Sequence, residues 1–132
     1  KIQDIFVCGH KYVNLTKKPI QLSLLMKMPL IFLEKKANSR NYVEAFFKEN
    51  GYDLSPEFEL GSHDLLLQFA KINLGIACVT KEFAQQEVSR GELFEIPLAT
   101  PIPSRHIGIV TLKTVPISHA AKKFIKLIDP TA

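Results

Sequence analysis

Residues 57–79 read EFELGSHDLLLQFAKINLGIACV, and three periodicities follow one another within them. Phe58 and Leu60 alternate with Glu57 and Glu59, the period of two expected of a half-buried strand. Gly61 marks a turn, and Ser62 to Asp64 supply side-chain oxygens able to accept from the unpaired N–H groups of a helix start. Leu65, Leu66, Phe69, Ala70 and Ile72 then recur at helical spacing and predict a helix with a broad apolar face. Asn73 and Gly75 bracket its end, and Gly75 to Val79 form the continuous apolar run of a buried parallel strand. Strand, helix and strand make a βαβ unit. In open sheets of that kind ligands sit beyond the carboxyl ends of the strands, which sets Ser62, His63 and Asp64 where a small anion meets a helix N-terminus.

Working outward, Pro29 opens a strand over Leu30–Glu34 that is apolar on both faces and therefore central. A polar turn, Lys35 to Ser39, leads to a helix from about Arg40 to Asn50 with Tyr42, Val43, Phe46 and Phe47 on one face. Arg40, Glu44 and Lys48 fall at successive i,i+4 spacings on another face and can pair there, and Gly51 is the stop. The turn Asn38-Ser39-Arg40 follows its strand as Ser62-His63 follows the next, so two polar turns line one sheet edge. Ile5 to Val7 reads as a strand, His10 as a turn residue, and Ile20 to Leu25 as a short helix or turn. Glu82 to Ser89 reads as a helix carrying Phe83, Ala84 and Val88, and Leu93 to Leu98 as a strand that Pro97 confines to an edge or end. A strand over His106–Leu112 and a closing helix over Ser118–Asp129 complete the pattern.

A chain of 132 residues has room for one domain with a real core, burying roughly two-thirds of its surface on folding. At 46% hydrophobic and 23% charged residues it has the composition of a globular domain rather than a disordered one. Its apolar runs fall well short of the ~20 residues that span a bilayer, so no membrane span is expected. Cys8 and Cys78 lie in apolar strand-like runs, as inert core thiols do, which suits a reducing cytoplasm. The net charge is +4, but the lysine pairs (Lys17 and Lys18, Lys35 and Lys36, Lys122 and Lys123) lack interleaved aromatics and read as solvated surface rather than a nucleic-acid face. The sequence opens on Lys1 with neither an initiator Met nor a leader, and is read as part of a longer protein.

The blocks PLIFLEKKANSRNYVEAFF, PEFELGSHDLLLQFAKINLGIACV, GELFEIPL and RHIGIVTLK with a closing helix, taken in order from about Asp4 to Ile128, resemble the effector-binding domain of LysR-type transcriptional regulators. Asn73 stands where the family's G-L-G-I-A segment has its first glycine, a departure that an Asn in the left-handed region accommodates. The resemblance implies an α/β, periplasmic-binding-protein-like (type II) lobe: a Rossmann-like three-layer sheet with helices on both faces. It implies that about 16–104 form the second of two lobes, while 1–15 and 105–132 are crossing strands and a remnant of the first. On this view the closing helix lacks its usual partner lobe, and self-association is expected.

What the resemblance implies about function is a ligand-sensing regulatory domain that binds a small anionic effector, carboxylate or amino-acid-like, between its lobes. DNA would be contacted only through a helix-turn-helix region outside this sequence. Ser62 and His63 are the foremost candidates for effector contact, because a hydroxyl at this helix start commonly holds a carboxylate in the family. Asn38, Ser39 and Arg40, and Thr80 at the end of the third strand, are the others. Each has a bland alternative: Ser62 as a cap, Arg40 as a partner of Glu44, Thr80 as the cap of the next helix. A solute-binding component of a transporter shares the two-lobe fold and is the competing reading. For a small α/β enzyme there is no nucleophile elbow, no G-x-G-x-x-G and no P-loop; no zinc spacing occurs, and neither metal nor cofactor is expected.

Overall fold

The computed structural model describes residues 1–106. Within them the chain forms β1 (Asp4–Cys8), a 3-10 helix (His10–Thr16), α1 (Leu22–Leu25), β2 (Leu30–Leu33), α2 (Asn38–Glu49), β3 (Phe58–Leu60), α3 (His63–Lys71), β4 (Ile76–Thr80), α4 (Lys81–Ser89) and β5 (Phe94–Ile96). The strands make one sheet in the order β3-β2-β4-β1-β5. β2 pairs in parallel with β3 and β4, whereas β1 runs antiparallel to both β4 and β5. The expected strand from His106 onward and the helix over Ser118–Asp129 lie, apart from His106 itself, outside the described residues.

Every residue of β1 and β4 is buried, because both faces of these central strands are covered. Alternate side chains therefore enter two separate cores. Phe6, Cys8, Leu30, Phe32, Ile76 and Cys78 face α2, which contributes Val43, Phe46 and Phe47. Ile5, Val7, Ile31, Ala77 and Val79 face α3 and α4, which contribute Leu66, Leu67, Ala70 and Ala84. The result is the three-layer arrangement with helices on both faces. Phe6 anchors the first core, its ring edge-on to Phe32 at 5.8 Å and to Phe47 at 5.9 Å. Each such side chain, fully buried, stabilises the fold by about 1.5–3 kcal/mol.

Three local readings change. The buried stripe of α3 is Leu66, Leu67 and Ala70, while Leu65 and Ile72 are exposed. The helix is thus rotated so that adjacent leucines 66 and 67 straddle the contact with β2 and β4. The crossover from β3 to β4 skips a position, with β2 lying between them. Helix α2 begins at Asn38, two residues early, with Ala37 as an N-cap that lends no side-chain bond. Two tight approaches fix the ends of these elements. Asn73 takes φ 64° at the end of α3, and its Oδ1 accepts from the Lys11 N–H at 3.1 Å. Gly75 lies where a Cβ would stand 2.5 Å from the Pro29 carbonyl oxygen, so only a glycine lets β4 start beside β2. Among the described residues no helix is long and apolar enough to cross a membrane.

Candidate functional site

The carboxyl ends of β2, β3 and β4 share one edge with the start of β1, because antiparallel pairing sets Asp4 opposite Thr80. Two spaces open there. One is a recess of about 10 Å³, room for a single water, lined by Asp4, Ser39, Arg40, His63 and Thr80 over a floor that includes Phe32 and Cys78. The other is an open cleft of about 280 Å³ between the starts of α3 and α4, lined by Ser62, His63, Asp64, Leu67 and Phe83. His63 lines both.

Ser62 is the N-cap of α3, and its Oγ accepts from the Leu65 N–H at 3.3 Å. The cap engages a lone pair and leaves the hydroxyl proton available to a further acceptor. The His63 ring stands edge-on to Phe83 at 4.9 Å, with Nε2 at 3.5 Å from Thr80 Oγ1. Burial pushes the His63 pKa below the ordinary histidine value; the carboxylates of Asp4 and Asp64 pull it back up and Arg105 works against them. The imidazole is therefore neutral at pH 7. Thr80 precedes α4 without capping it by its side chain, so its hydroxyl stays directed to the recess.

Arg40 is 2% exposed and held on three sides. Its Nε donates to Glu44 Oε2 at 3.2 Å, and its Nη1 to Glu59 Oε2 and to the Leu33 carbonyl, each at 3.0 Å. Its guanidinium also lies over the Phe32 ring at 5.5 Å. The i,i+4 pair with Glu44 forms, but Glu59 on β3, not Lys48, completes the cluster. Ser39 lines the recess, whereas Asn38 is exposed and lines neither space.

Sequence reasoning did not single out Asp4 or Arg105. Asp4, 3% exposed, accepts from Arg105 Nε at 2.9 Å and from Nη2 at 3.2 Å. The bond to Asp4 raises the Arg105 pKa above its usual value, ahead of the lowering by burial. Beside this pair, Ile2 and Arg105 exchange backbone bonds of 2.6 and 2.8 Å, and the Tyr42 hydroxyl donates to the Pro103 carbonyl at 3.0 Å. One signal for Asp4 was present: it is the lone acid at the head of an otherwise apolar strand. Burial pushes the Cys78 thiol well above its ordinary pKa and Cys8 up to about 11, so neither supplies a thiolate. Among the described residues no group of three His, Cys, Asp or Glu side chains could hold a metal ion.

A mixed sheet flanked by helices on both faces, with polar turns and a cleft at its carboxyl edge, is a lobe of the periplasmic-binding-protein-like (type II) class. Residues 4–131 match the family model of the LysR substrate binding domain, and the chain belongs to that family. It is 26% identical over 121 residues to the HTH-type transcriptional activator CmpR of Synechocystis sp. (strain ATCC 27184 / PCC 6803 / Kazusa), covering 92% of this chain and 40% of that protein. It is 22% identical over 116 residues to the HTH-type transcriptional regulator YeiE of Escherichia coli (strain K12), covering 88% and 40%. The chain thus spans about 40% of the length of these relatives. In fold it is similar to the Synechocystis PCC6803 CcmR regulatory domain in complex with 2-PG, with a TM-score of 0.83 at 19% identity over 98% of this chain and 62% of that one. The effector binding domain of QuiR in complex with shikimate has a TM-score of 0.76 at 18% identity, covering 93% and 58%.

Proposed function

We propose that this chain is the effector-sensing part of a LysR-type transcriptional regulator, acting in the cytoplasm by binding and not by catalysis. Residues of about 16–104 serve as one lobe, and the segments on either side connect it to a second. A small effector, carboxylate or amino-acid-like, binds at the carboxyl edge and biases how the lobes sit, which the parent protein converts into altered operator contacts. Ser62 donates its hydroxyl proton, His63 and Thr80 offer polar atoms beside it, and Ser39 completes the rim. Arg40 and Asn38 belong to the same edge, Arg40 as a clamp that holds the turn after β2 in place. The parent self-associates, as the full-length architecture of a regulator with paired DNA readers requires.

The observation that carries this reading is the meeting of the α3 N-cap, the end of β4 and a cleft of about 280 Å³ at one sheet edge. A thermal-shift screen of this chain against small carboxylates, amino acids and sulfate, repeated on Ser62→Ala and Thr80→Val, tests it. A ligand whose shift both substitutions diminish is the expected result. A ligand that stabilises the chain equally with both hydroxyls removed overturns the assignment of the site.

A further inference from the structure

The described chain enters the sheet and leaves it at one point. Ile2 and Arg105 exchange backbone bonds, Gln3 Nε2 donates to the Ile102 carbonyl at 2.6 Å, and both carboxylate oxygens of Asp4 accept from the Arg105 guanidinium. The pair is unevenly buried, the Asp4 side chain being 2% exposed and that of Arg105 19%. Asp4 opens the central strand β1, whereas Arg105 lies outside the strands and meets the lobe through Ile2, Asp4 and the Tyr42 ring, 5.7 Å below its guanidinium. If Arg105 moves away, a carboxylate is left unpaired in a nearly dry place. The position of the exit segment therefore depends on what else can neutralise Asp4.

Two other groups able to carry positive charge, Arg40 and His63, line the same recess as Asp4. Arg40 is committed to Glu44, Glu59 and the Leu33 carbonyl. His63 is not so engaged: its Nε2 stands 3.5 Å from the hydroxyl of Thr80, the residue directly opposite Asp4 in the β1–β4 register. The charged groups around His63 are Asp4 from β1, Arg105 from the exit segment, Arg40 from α2 across the recess and Asp64 from its own helix, while α4 presents the Phe83 ring. Burial lowers the His63 pKa, Asp4 pulls it up and Arg105 pushes it down, as expected of a third charge beside an ion pair. We propose that Asp4 and Arg105 form a charge latch that closes the entry of the lobe on its exit, and that a positive charge on His63 loosens it by competing for Asp4. At neutral pH, with His63 uncharged, the latch is closed. Its link to ligand rests on the effector-site reading above: an anion beside His63 stabilises the imidazolium, so binding and release of the exit segment favour each other.

The test is NMR on the whole chain without ligand. The Arg105 backbone amide, bonded to the Ile2 carbonyl at 2.8 Å, reports the latch through its hydrogen-exchange protection, and the His63 ring shifts report its titration. Protection of that amide, corrected for intrinsic exchange, should fall from pH 7.5 to 5.5 as His63 takes up its proton, by at most about tenfold per pH unit for one coupled proton. In His63→Gln the fall should vanish. Arg105→Gln should raise the His63 pKa and Asp4→Asn lower it, while Arg105→Lys, which keeps the charge, should hold it near that of the parent. Protection that falls equally in the parent and in His63→Gln overturns the latch, as does a His63 titration that neither Asp4→Asn nor Arg105→Gln moves. If a substitution in the buried pair unfolds the chain, the parent and His63→Gln decide between them. Since no ligand is used, the latch can fail with the effector site intact, and a ligand screen without a hit removes the site and not the latch.

Discussion

Replacing Arg40 separates a structural clamp from a ligand-binding cation. Its side chain is 1% exposed, while its partners Glu44 and Glu59 are 39% and 41% exposed. In Arg40→Ala both carboxylates can recover water, so each ion pair counts at its surface value of about 0.5–1 kcal/mol. The bond to the Leu33 carbonyl adds about 1 kcal/mol, and the stem packed on Phe32 leaves a void costing about 1 kcal/mol more. The expected loss is about 3 kcal/mol, a fall in melting temperature of about 10 °C for a chain of this size. Arg40→Lys keeps the charge without the fork and should lose roughly half as much. Urea denaturation of the three proteins, with m-values compared to check two-state behaviour, reads this directly. A variant Arg40→Ala within about 0.5 kcal/mol of the parent would refute the clamp, because a side chain reserved for ligand contributes little to stability without one.

The depressed pKa of His63 makes stability fall on acidification: below the ordinary histidine value the unfolded chain takes up a proton that the folded one resists. Urea midpoints should therefore decline from pH 7.5 to 5.5, and His63→Gln should flatten the decline; an equal slope in both proteins would contradict it. Gly75→Ala places a Cβ 2.5 Å from the Pro29 carbonyl oxygen and should cost about 1–3 kcal/mol, an outcome that a thermal melt indistinguishable from the parent would exclude. Cys8 and Cys78, both buried with thiols pushed up by desolvation, should resist an aromatic disulfide reagent at pH 8 and react once guanidinium unfolds the chain. Rapid native labelling of either would show that the core opens locally.

The elements that announced themselves were those whose signals are local. β2, the alternation of Phe58 and Leu60, the Ser62 cap and the apolar run of β4 each follow from neighbours within a few residues, and each formed. Gly51 and Gly91 take φ of 88° and 73° at the ends of α2 and α4, as C-terminal stops do. What stayed hidden depends on partners far along the chain. Leu65, Leu66 and Leu67 are equally apolar and consecutive, so only the direction of α3 against the sheet decides which of them are buried. Arg40 read as a candidate effector contact with Glu44 as its alternative partner, because Glu59 arrives from β3, far along the chain. The junction of Asp4 with Arg105 joins residues about a hundred apart, and no spacing rule reaches that far.

The place of β1 has a consequence for how the chain is made. Asp4–Cys8 needs β4 on one side and β5 on the other, and β5 leaves the ribosome close to 90 residues after β1. At synthesis rates of ~5–20 residues per second the edge of the strand that takes β5 stays open for about 5–18 s. Its neighbours in sequence offer it no hairpin, so its central seat is filled by long-range closure, the slow kind of folding step. A ribosome pausing before Phe94 would hold an apolar DIFVC segment unpaired on one side, a species in want of a chaperone.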